Sequence, residues 1–189
     1  MFLCLMASKG GVGKSTICKQ LARELHRIGR TVAALDYDPQ KHLDRFVDAN
    51  PAMFKAECAE YVVVDTQGVH SKKNIEIINA MLTKNALIIV PFRPSEDDYI
   101  EALTMRDRLK ELGALDKAVF VANACYRKTD KDVLHYSSLL SDSVRVAKSV
   151  LVQRKAYAKE PDRNVINEIS RLLNEVVLWG LLQIIKAGK

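Results

Sequence analysis

Two patterns of hydrophobic residues alternate along the chain. Short runs of consecutive apolar residues predict buried strands, and apolar residues three or four positions apart predict amphipathic helices. The runs occupy residues 2–7, 31–35, 61–64, 85–90 and 118–122, and the less continuous segment 144–151 is a candidate for a sixth strand. The helical spacing occupies residues 14–28, 74–82, 96–112, 131–140 and 165–178. Because fully apolar strands alternate with helices, we predict a mostly parallel, twisted sheet with helices on both faces, a three-layer α/β/α fold.

Polar residues and glycines directly follow several of these strands. A glycine-rich turn follows the first strand, Asp36 ends the second, Asp65 ends the third, and Asn123 follows the fifth. The carboxyl ends of parallel strands meet at one edge of the sheet, and ligands of such folds bind there. We therefore predict that the functional site lies at this edge.

The turn after the first strand has the composition of a phosphate-binding P-loop. Its glycines leave backbone N–H groups free to converge on an anion, and a helix that begins at Lys14 adds its positive dipole end. Lys14 is then placed to contact the β- and γ-phosphates, and the Ser15 hydroxyl to bind magnesium. Ser8 stands where the first glycine is usual. The predicted nucleotide-binding residues are Gly10, Gly11, Val12, Gly13, Lys14, Ser15 and Thr16.

Two carboxylates follow the second strand in the sequence Asp36-Tyr37-Asp38-Pro39-Gln40. Beside a triphosphate, carboxylates at a strand end are positioned for magnesium binding and for activation of water. The alternative interpretation is an Asp-Pro turn without a chemical role.

These segments together resemble a known family. Residues 9–16 resemble the deviant Walker A box of the ParA/MinD/NifH class of ATPases, which carries an additional lysine, here Lys9. Residues 36–40 are similar to the Walker A′ box of ParA proteins, and residues 61–65 to the Walker B strand. Residues 90–95, with Asp98, resemble the segment after the fourth strand. Residues 152–159 resemble a late segment of ParF-type plasmid partition proteins, close to the base-binding loop.

The resemblance implies a P-loop NTPase that binds ATP or ADP with Mg²⁺ and hydrolyses ATP slowly. In that class the early lysine contacts phosphate across a dimer that encloses two ATP molecules. The implied catalytic residues are Lys9, Lys14, Asp36 and Asp38, the magnesium residues are Ser15, Asp36 and Asp65, and the adenine contacts are Asn123 and Arg154. For Asn123, a role as a helix cap or turn residue stays open. The chain departs from the family at Gln67, where proline is common.

The family's function is partition of plasmids or chromosomes. The resemblance implies an ATP-dependent homodimer on nonspecific DNA, a centromere-binding partner similar to ParB or ParG, and a cytoplasmic, nucleoid-associated location. The net charge of +6 agrees with this, although a solvated basic surface explains it equally well. Its surplus is concentrated in the later part of the chain, at Arg145, Lys148, Arg154, Lys155, Lys159, Arg163 and Arg171.

Two other functions compete with partition. A MinD-like switch at a membrane is suggested by the apolar segment 176–186, which contains Trp179. Because this segment has almost no polar face, we expect a buried C-terminal helix, or a subunit contact, and no membrane contact. The second competitor is a metabolic ligase similar to dethiobiotin synthetase, which Lys9 and the Asp36–Gln40 box argue against. A chain of 189 residues predicts a single domain, residues 1–189.

Overall fold

The computed structural model describes residues 1–55, 57–68 and 71–187, without the side chains of residues 183–187. The strands within these residues are β1 (Phe2–Leu5), β2 (Val32–Asp36), β3 (Tyr61–Asp65), β4 (Ala86–Phe92), β5 (Ala118–Cys125) and β6 (Val146–Val152). The α-helices are α1 (Lys14–Arg27), α2 (His42–Ala49), α3 (Lys72–Leu82), α4 (Glu96–Glu111), α5 (Lys131–Ser141) and α6 (Arg163–Ala187). Short 3-10 helices lie at Pro51–Met53, Leu115–Lys117 and Lys155–Ala158.

The strands form one parallel sheet in the order β2-β3-β1-β4-β5-β6. β1 lies between β3 and β4, with Leu5 aligned with Asp65 on one side and with Ile89 on the other. After β1 the chain forms β2 and β3 on one side of this strand, and it later forms β4, β5 and β6 on the other side. The connections diverge beyond the carboxyl end of β1, which leaves a crevice there. The predicted fold class is confirmed, and this crevice is where the P-loop lies.

Each face of the sheet has its own hydrophobic core. Leu3 and Leu5 of β1 point to the face that packs against α1 and α6, whereas Cys4 and Met6 point to the face that packs against α3, α4 and α5. Alternation along a strand produces this division, because successive side chains point to opposite faces. Because both faces of the sheet are covered, successive residues of a central strand must be apolar. Strand β1 therefore packs against a hydrophobic core on each face.

Helix α2 was not predicted from the hydrophobic pattern. Leu43 is its single fully buried residue, and its N-cap, Lys41, makes no capping hydrogen bond with its side chain. The cap comes instead from Asp36, whose Oδ2 accepts hydrogen bonds from the backbone N–H groups of Leu43 at 2.8 Å and Asp44 at 3.0 Å. A cap supplied by the preceding strand leaves no local signal in the helix sequence.

Strand β4 continues through Pro91 to Phe92, two residues beyond the apolar run at 85–90. The paired residues of β1 end at Leu5, opposite Ile89, so beyond that point β4 pairs only with β5. Pro91 thus lies beyond the last residue of β4 that is paired with β1, near an end of the ladder, where strands tolerate proline.

Helix α6 extends to Ala187, and the expectation of a buried C-terminal helix is correct for one face only. Gly180 is buried, and a Cβ at this position would collide with the side chain of Met1. The opposite face exposes Leu178, Leu181 and Leu182, with exposed fractions of 57%, 54% and 47%. Among the described residues, no helix combines the length and apolar character needed to cross a membrane.

Candidate nucleotide-binding site

The predicted P-loop connects β1 to α1 in a conformation that requires glycine. Gly11 and Gly13 have φ angles of 77° and 92°, which residues with a side chain rarely adopt. Helix α1 begins at Lys14, and its first hydrogen bond runs from the Ile17 N–H to the Gly13 carbonyl at 2.9 Å. The N–H groups before Ile17 have no partner within the helix, so they are available to an anion in the loop.

Asn123, near the carboxyl end of β5, supports the loop from behind. Its amide nitrogen donates a hydrogen bond to the Val12 carbonyl at 2.7 Å. The same nitrogen lies 2.5 Å from the place that a Cβ at Gly13 would occupy, so glycine is needed there for close approach as well as for φ. The structure thus places Asn123 against the loop backbone, and its predicted contact with adenine stays a prediction.

A cleft of about 640 Å³ opens in front of the loop. Its walls are the P-loop with the start of α1, the segment from Asp38 to His42, and Gln67 with Gly68. The volume lies within the range of roughly 300–1,000 Å³ that is typical of small-molecule sites. The cleft therefore brings together most of the predicted residues at a size that suits a nucleotide.

The inner end of the site, which we define as Lys14, Ser15 and Asp65, contains a buried carboxylate. Asp65 is fully buried, and neither of its carboxylate oxygens makes a hydrogen bond of good geometry. Burial raises the pKa of Asp65 to about 6, an effect that the nearby Ser15 hydroxyl and the Lys14 ammonium reduce. An unpaired buried carboxylate is costly, so a partner is expected beside it.

A magnesium ion fits this end of the site. Mg²⁺ binds carboxylate and hydroxyl oxygens, keeps several waters and takes its remaining ligands from phosphate oxygens. Ser15 and Asp65 supply oxygens of the required kind beside the phosphate loop. Among the described residues, no group of three or more His, Cys, Asp and Glu side chains is arranged to hold a metal by itself. The donor set suits an ion that binds together with a nucleotide.

Lys14 is the cation of the inner end, and it is 5% exposed. Burial lowers the pKa of its ammonium, and the carboxylates of Asp65 and Asp38 counteract that effect. Its Nζ donates a long hydrogen bond to the Lys9 carbonyl at 3.4 Å. A desolvated ammonium with one weak acceptor is suited to receive phosphate oxygens.

The two aspartates after β2 have different surroundings. Asp36 is buried and caps α2, and its Oδ1 also accepts a hydrogen bond from the Asp38 N–H at 2.9 Å. Asp38 lines the cleft and accepts a hydrogen bond from the Gln40 N–H at 2.9 Å. Asp36 therefore shapes the loop that presents Asp38, and direct roles of Asp36 in catalysis and magnesium binding stay predictions.

The outer end of the loop, which we define as Ser8, Lys9 and Gly11, is held by the β4–α4 segment. The Lys9 ammonium lies 3.0 Å from Oδ1 of Asp98. The Arg93 guanidinium donates a hydrogen bond to the Gly11 carbonyl at 2.6 Å. The polar groups of this end therefore already have protein partners.

Ser8 explains how the loop tolerates a residue other than glycine at its start. Its hydroxyl contacts Oε2 of Glu101 at 2.5 Å and the Glu101 carbonyl at 3.0 Å. Gly68 approaches the next residues from the other side, because a Cβ there would lie 2.6 Å from the Gly10 nitrogen and closer still to Lys9. The loop is therefore packed between α4 and the segment after β3.

Arg154, the second predicted adenine contact, follows β6 and pairs with a buried glutamate of α6. Its guanidinium is 3.3 Å from Oε1 of Glu168, which is 2% exposed. Glu168 also accepts hydrogen bonds from the Val152 N–H at 3.1 Å and the Tyr157 hydroxyl at 2.9 Å, and its carboxylate pairs with Lys128 at 3.3 Å. The segment after β6 is thus fixed in place, and base recognition by Arg154 stays a prediction.

Sequence reasoning gave no role to Arg93, Glu101 or Glu168, and it noted Asp98 without a function. Asp98 and Glu101 lie in the acidic first turns of α4, where carboxylates are common near the positive end of the dipole. Glu168 is a charged residue between the apolar positions Val165 and Ile169 of α6, which is the one local signal that marks it. The contacts of Arg93, Asp98 and Glu101 join segments that are more than 80 residues apart in the sequence.

The fold and the loop define a P-loop nucleotide-binding protein of the three-layer α/β/α type. Residues 3–174 match the family described as the CobQ/CobB/MinD/ParA nucleotide binding domain. The chain belongs to this family, and the predicted membership of the ParA/MinD class is confirmed.

Individual relatives are distant. The chain is 27% identical over 177 residues to Protein ParA of Rhizobium radiobacter, covering 80% of this chain and 78% of that protein. A plasmid partition protein of Borrelia burgdorferi B31 bound to AMPPNP superposes with a TM-score of 0.66 at 16% identity, covering 94% of this chain and 98% of that one. The pNOB8 ParA bound to nonspecific DNA has a TM-score of 0.63 at 11% identity, with 98% of each chain covered. At these identities the structural likeness supports the fold alone.

Proposed function

We propose that this protein is a magnesium-dependent ParA-type ATPase that dimerises with ATP and acts in the partition of a plasmid or chromosome. The observation that carries the proposal is the inner end of the site. There a buried carboxylate, Asp65, lies behind the glycine loop together with a desolvated ammonium, Lys14, and no described residue gives that carboxylate a hydrogen bond of good geometry. A magnesium nucleotide supplies both missing partners at once, with the cation beside Asp65 and the phosphates beside Lys14.

Different residues of the site have different roles in hydrolysis. Phosphoryl transfer requires positioning and charge compensation more than covalent chemistry. Lys14 neutralises phosphate charge within its own subunit, and Lys9 does so in the partner subunit. Ser15 and Asp65 hold magnesium, which neutralises developing charge on the phosphates when bound. Asp38 orients the attacking water from its position in the cleft.

Two observations support action on DNA. The basic residues of the later part of the chain include five exposed side chains, Lys148, Lys155, Lys159, Arg163 and Arg171. A structural neighbour, the pNOB8 ParA, binds nonspecific DNA. In the proposed cycle the ATP dimer binds DNA of the nucleoid, and a centromere-binding partner similar to ParB or ParG stimulates hydrolysis and release.

Retention on nonspecific DNA tests this function directly. We expect binding of the protein to a DNA column or filter only with ATP, and we expect it to weaken steeply with salt because phosphate contacts release counterions. Lys14→Ala serves as the variant that cannot respond to ATP, and ADP serves as the nucleotide control. Equal retention with and without ATP would contradict the proposal.

A second candidate, a membrane-associated positioning switch, is favoured by one observation. Leu178, Leu181 and Leu182 expose an apolar strip on α6, and such strips bind the interface of a bilayer when a polar face accompanies them. Flotation with vesicles of anionic lipid in the presence of ATP separates the two functions. Protein that floats with the vesicles and is released by Leu181→Ser would favour the membrane, and protein that stays at the bottom would exclude it.

A further inference from the structure

Lys9 is held inside its own subunit by a buried carboxylate of α4. The Lys9 side chain is 40% exposed, whereas that of Asp98 is 8% exposed, and their charged atoms are 3.0 Å apart. Oδ1 of Asp98 accepts no hydrogen bond from another group in the described part of the chain. The Lys9 ammonium is therefore the main compensation for this carboxylate oxygen.

Asp98 itself is fixed in place and cannot follow Lys9. Ser95 caps α4, because its hydroxyl accepts a hydrogen bond from the Asp98 N–H at 3.3 Å and contacts Oδ2 of Asp98 at 3.0 Å. A carboxylate in the first turn is also stabilised by the helix dipole. If Lys9 moves away, Asp98 stays at the N-terminus of α4 as a buried and incompletely compensated charge.

The contact with Asp98 competes with any contact outside the subunit. A phosphate held by a second chain would compete with the Asp98 carboxylate, 3.0 Å away, for the same ammonium, so the contact with Asp98 opposes extension of Lys9 out of its own subunit. The neighbouring contact of Ser8 with Glu101, one helical turn further along α4, holds the backbone before Lys9 in the same position. Extension of Lys9 towards a partner therefore begins with the loss of its contact with Asp98.

We propose that Asp98 is a positioning residue that holds Lys9 within its own subunit and thereby opposes formation of the ATP dimer. This inference rests on the proposed function, in which Lys9 acts across the dimer. Dimerisation then requires ATP in both subunits, because in each subunit a phosphate group must replace the Asp98 carboxylate as the partner of Lys9.

The test compares Asp98→Asn with Asp97→Asn. Both changes remove one negative charge from the first turn of α4, but Asp97 is exposed and the carboxylate of Asp98 faces Lys9. We expect Asp98→Asn to form the dimer at about three- to tenfold lower concentrations of AMPPNP with magnesium, measured by light scattering after size-exclusion chromatography. Asp97→Asn should behave as the wild type, and the affinity of the monomer for the nucleotide should be equal in all three.

A second measurement examines the contact without nucleotide. Labelling of Lys9 by an amine-reactive reagent, followed by mass spectrometry, should be faster in Asp98→Asn than in the wild type and unchanged in Asp97→Asn. Asp98→Ser provides an uncharged variant with a different shape, in case the amide perturbs the cap. Circular dichroism and thermal unfolding identify any variant whose fold has changed.

The outcomes separate the inference from the proposed function. A wild-type dimer that Asp98→Asn and Asp98→Ser leave unchanged or weaken would overturn the role of Asp98 alone. Absence of an AMPPNP dimer in every protein would contradict the proposed function, and the role of Asp98 would fall with it. Faster labelling of Lys9 together with a dimer at lower nucleotide concentration would support both.

Discussion

The inner and outer ends of the P-loop differ in how their polar groups are satisfied. At the inner end, within the described part of the chain, no hydrogen bond of good geometry reaches the Asp65 carboxylate, and Lys14 donates one long hydrogen bond. At the outer end Lys9 has an ion pair with Asp98, and Ser8 has two contacts with Glu101. The two ends lie at the same loop, yet the charged groups of the outer end have protein partners whereas those of the inner end lack good ones.

This difference assigns different energetic roles to the two ends. A ligand that binds the inner end satisfies groups that are already desolvated, so its charges gain strong interactions in a low dielectric. A ligand that uses the outer end must first displace protein partners, so it gains less. The inner end is therefore suited to hold a nucleotide, and the outer end is suited to respond to one.

Removal of the inner cation should have the largest effect. We expect Lys14→Ala to weaken ATP binding about 100-fold, because the phosphates lose a charge partner in a desolvated site. Titration with a fluorescent ATP analogue measures this affinity. Lys19→Ala removes another lysine of the cleft wall and should change the affinity much less. Equal effects of the two substitutions would show that the inner end is not the phosphate site.

Lys9→Ala should separate binding from dimerisation. We expect ATP affinity of the monomer to stay within about threefold of the wild type, because Lys9 contacts Asp98 of its own subunit and does not line the cleft. The ATP dimer and hydrolysis should both be lost, since Lys9 then supplies no charge to the partner subunit. Light scattering and phosphate release measure these two properties. A variant that still forms ATP dimers would refute the difference between the two ends.

Asp65→Asn should stabilise the nucleotide-free protein while removing magnesium-dependent hydrolysis. The folded-state pKa of Asp65 is raised to about 6, so ionisation at neutral pH costs the folded state free energy that an amide does not. We expect a gain of about 1–3 kcal/mol in the free energy of unfolding at pH 7.5, measured with urea.

The pH dependence of this gain provides its control. Because the folded pKa lies above the unfolded one, the cost of Asp65 is fully present above pH 6 and disappears as the pH falls towards 4. The advantage of Asp65→Asn should therefore shrink between pH 7.5 and pH 5. A constant difference over this range would show that ionisation of Asp65 is not its cause.

The smallest effect is expected at Ser8. Ser8→Ala removes the hydroxyl that contacts Glu101 but leaves the backbone of the loop unchanged. We expect a loss of about 0.5–1.5 kcal/mol in the free energy of unfolding, and ATP affinity within about twofold of the wild type. Urea unfolding and the same nucleotide titration measure both. A large loss of ATP affinity would mean that the contact with α4 shapes the inner end as well.

Much of the fold and part of the site could be predicted from the sequence, because these features depend on local chemistry. Gly13 is required by a positive φ angle in the turn, and Lys14 follows it at the first position of α1. Asp65 was predicted from its place at the end of an apolar strand, since parallel strands bring their carboxyl ends together. Helix α2 escaped prediction because its cap comes from Asp36, on the preceding strand.

The sequence alone determined the strands, the P-loop and the identity of the charged groups around it, since each of these follows from neighbouring residues. Tertiary structure alone decided which of those charges are already paired. Lys9 and Asp98 are far apart in the chain, and so are Ser8 and Glu101; packing against the sheet brings each pair into contact. The exposed face of α6 was decided in the same way, because the position of Gly180 against Met1 determines which leucines face outward.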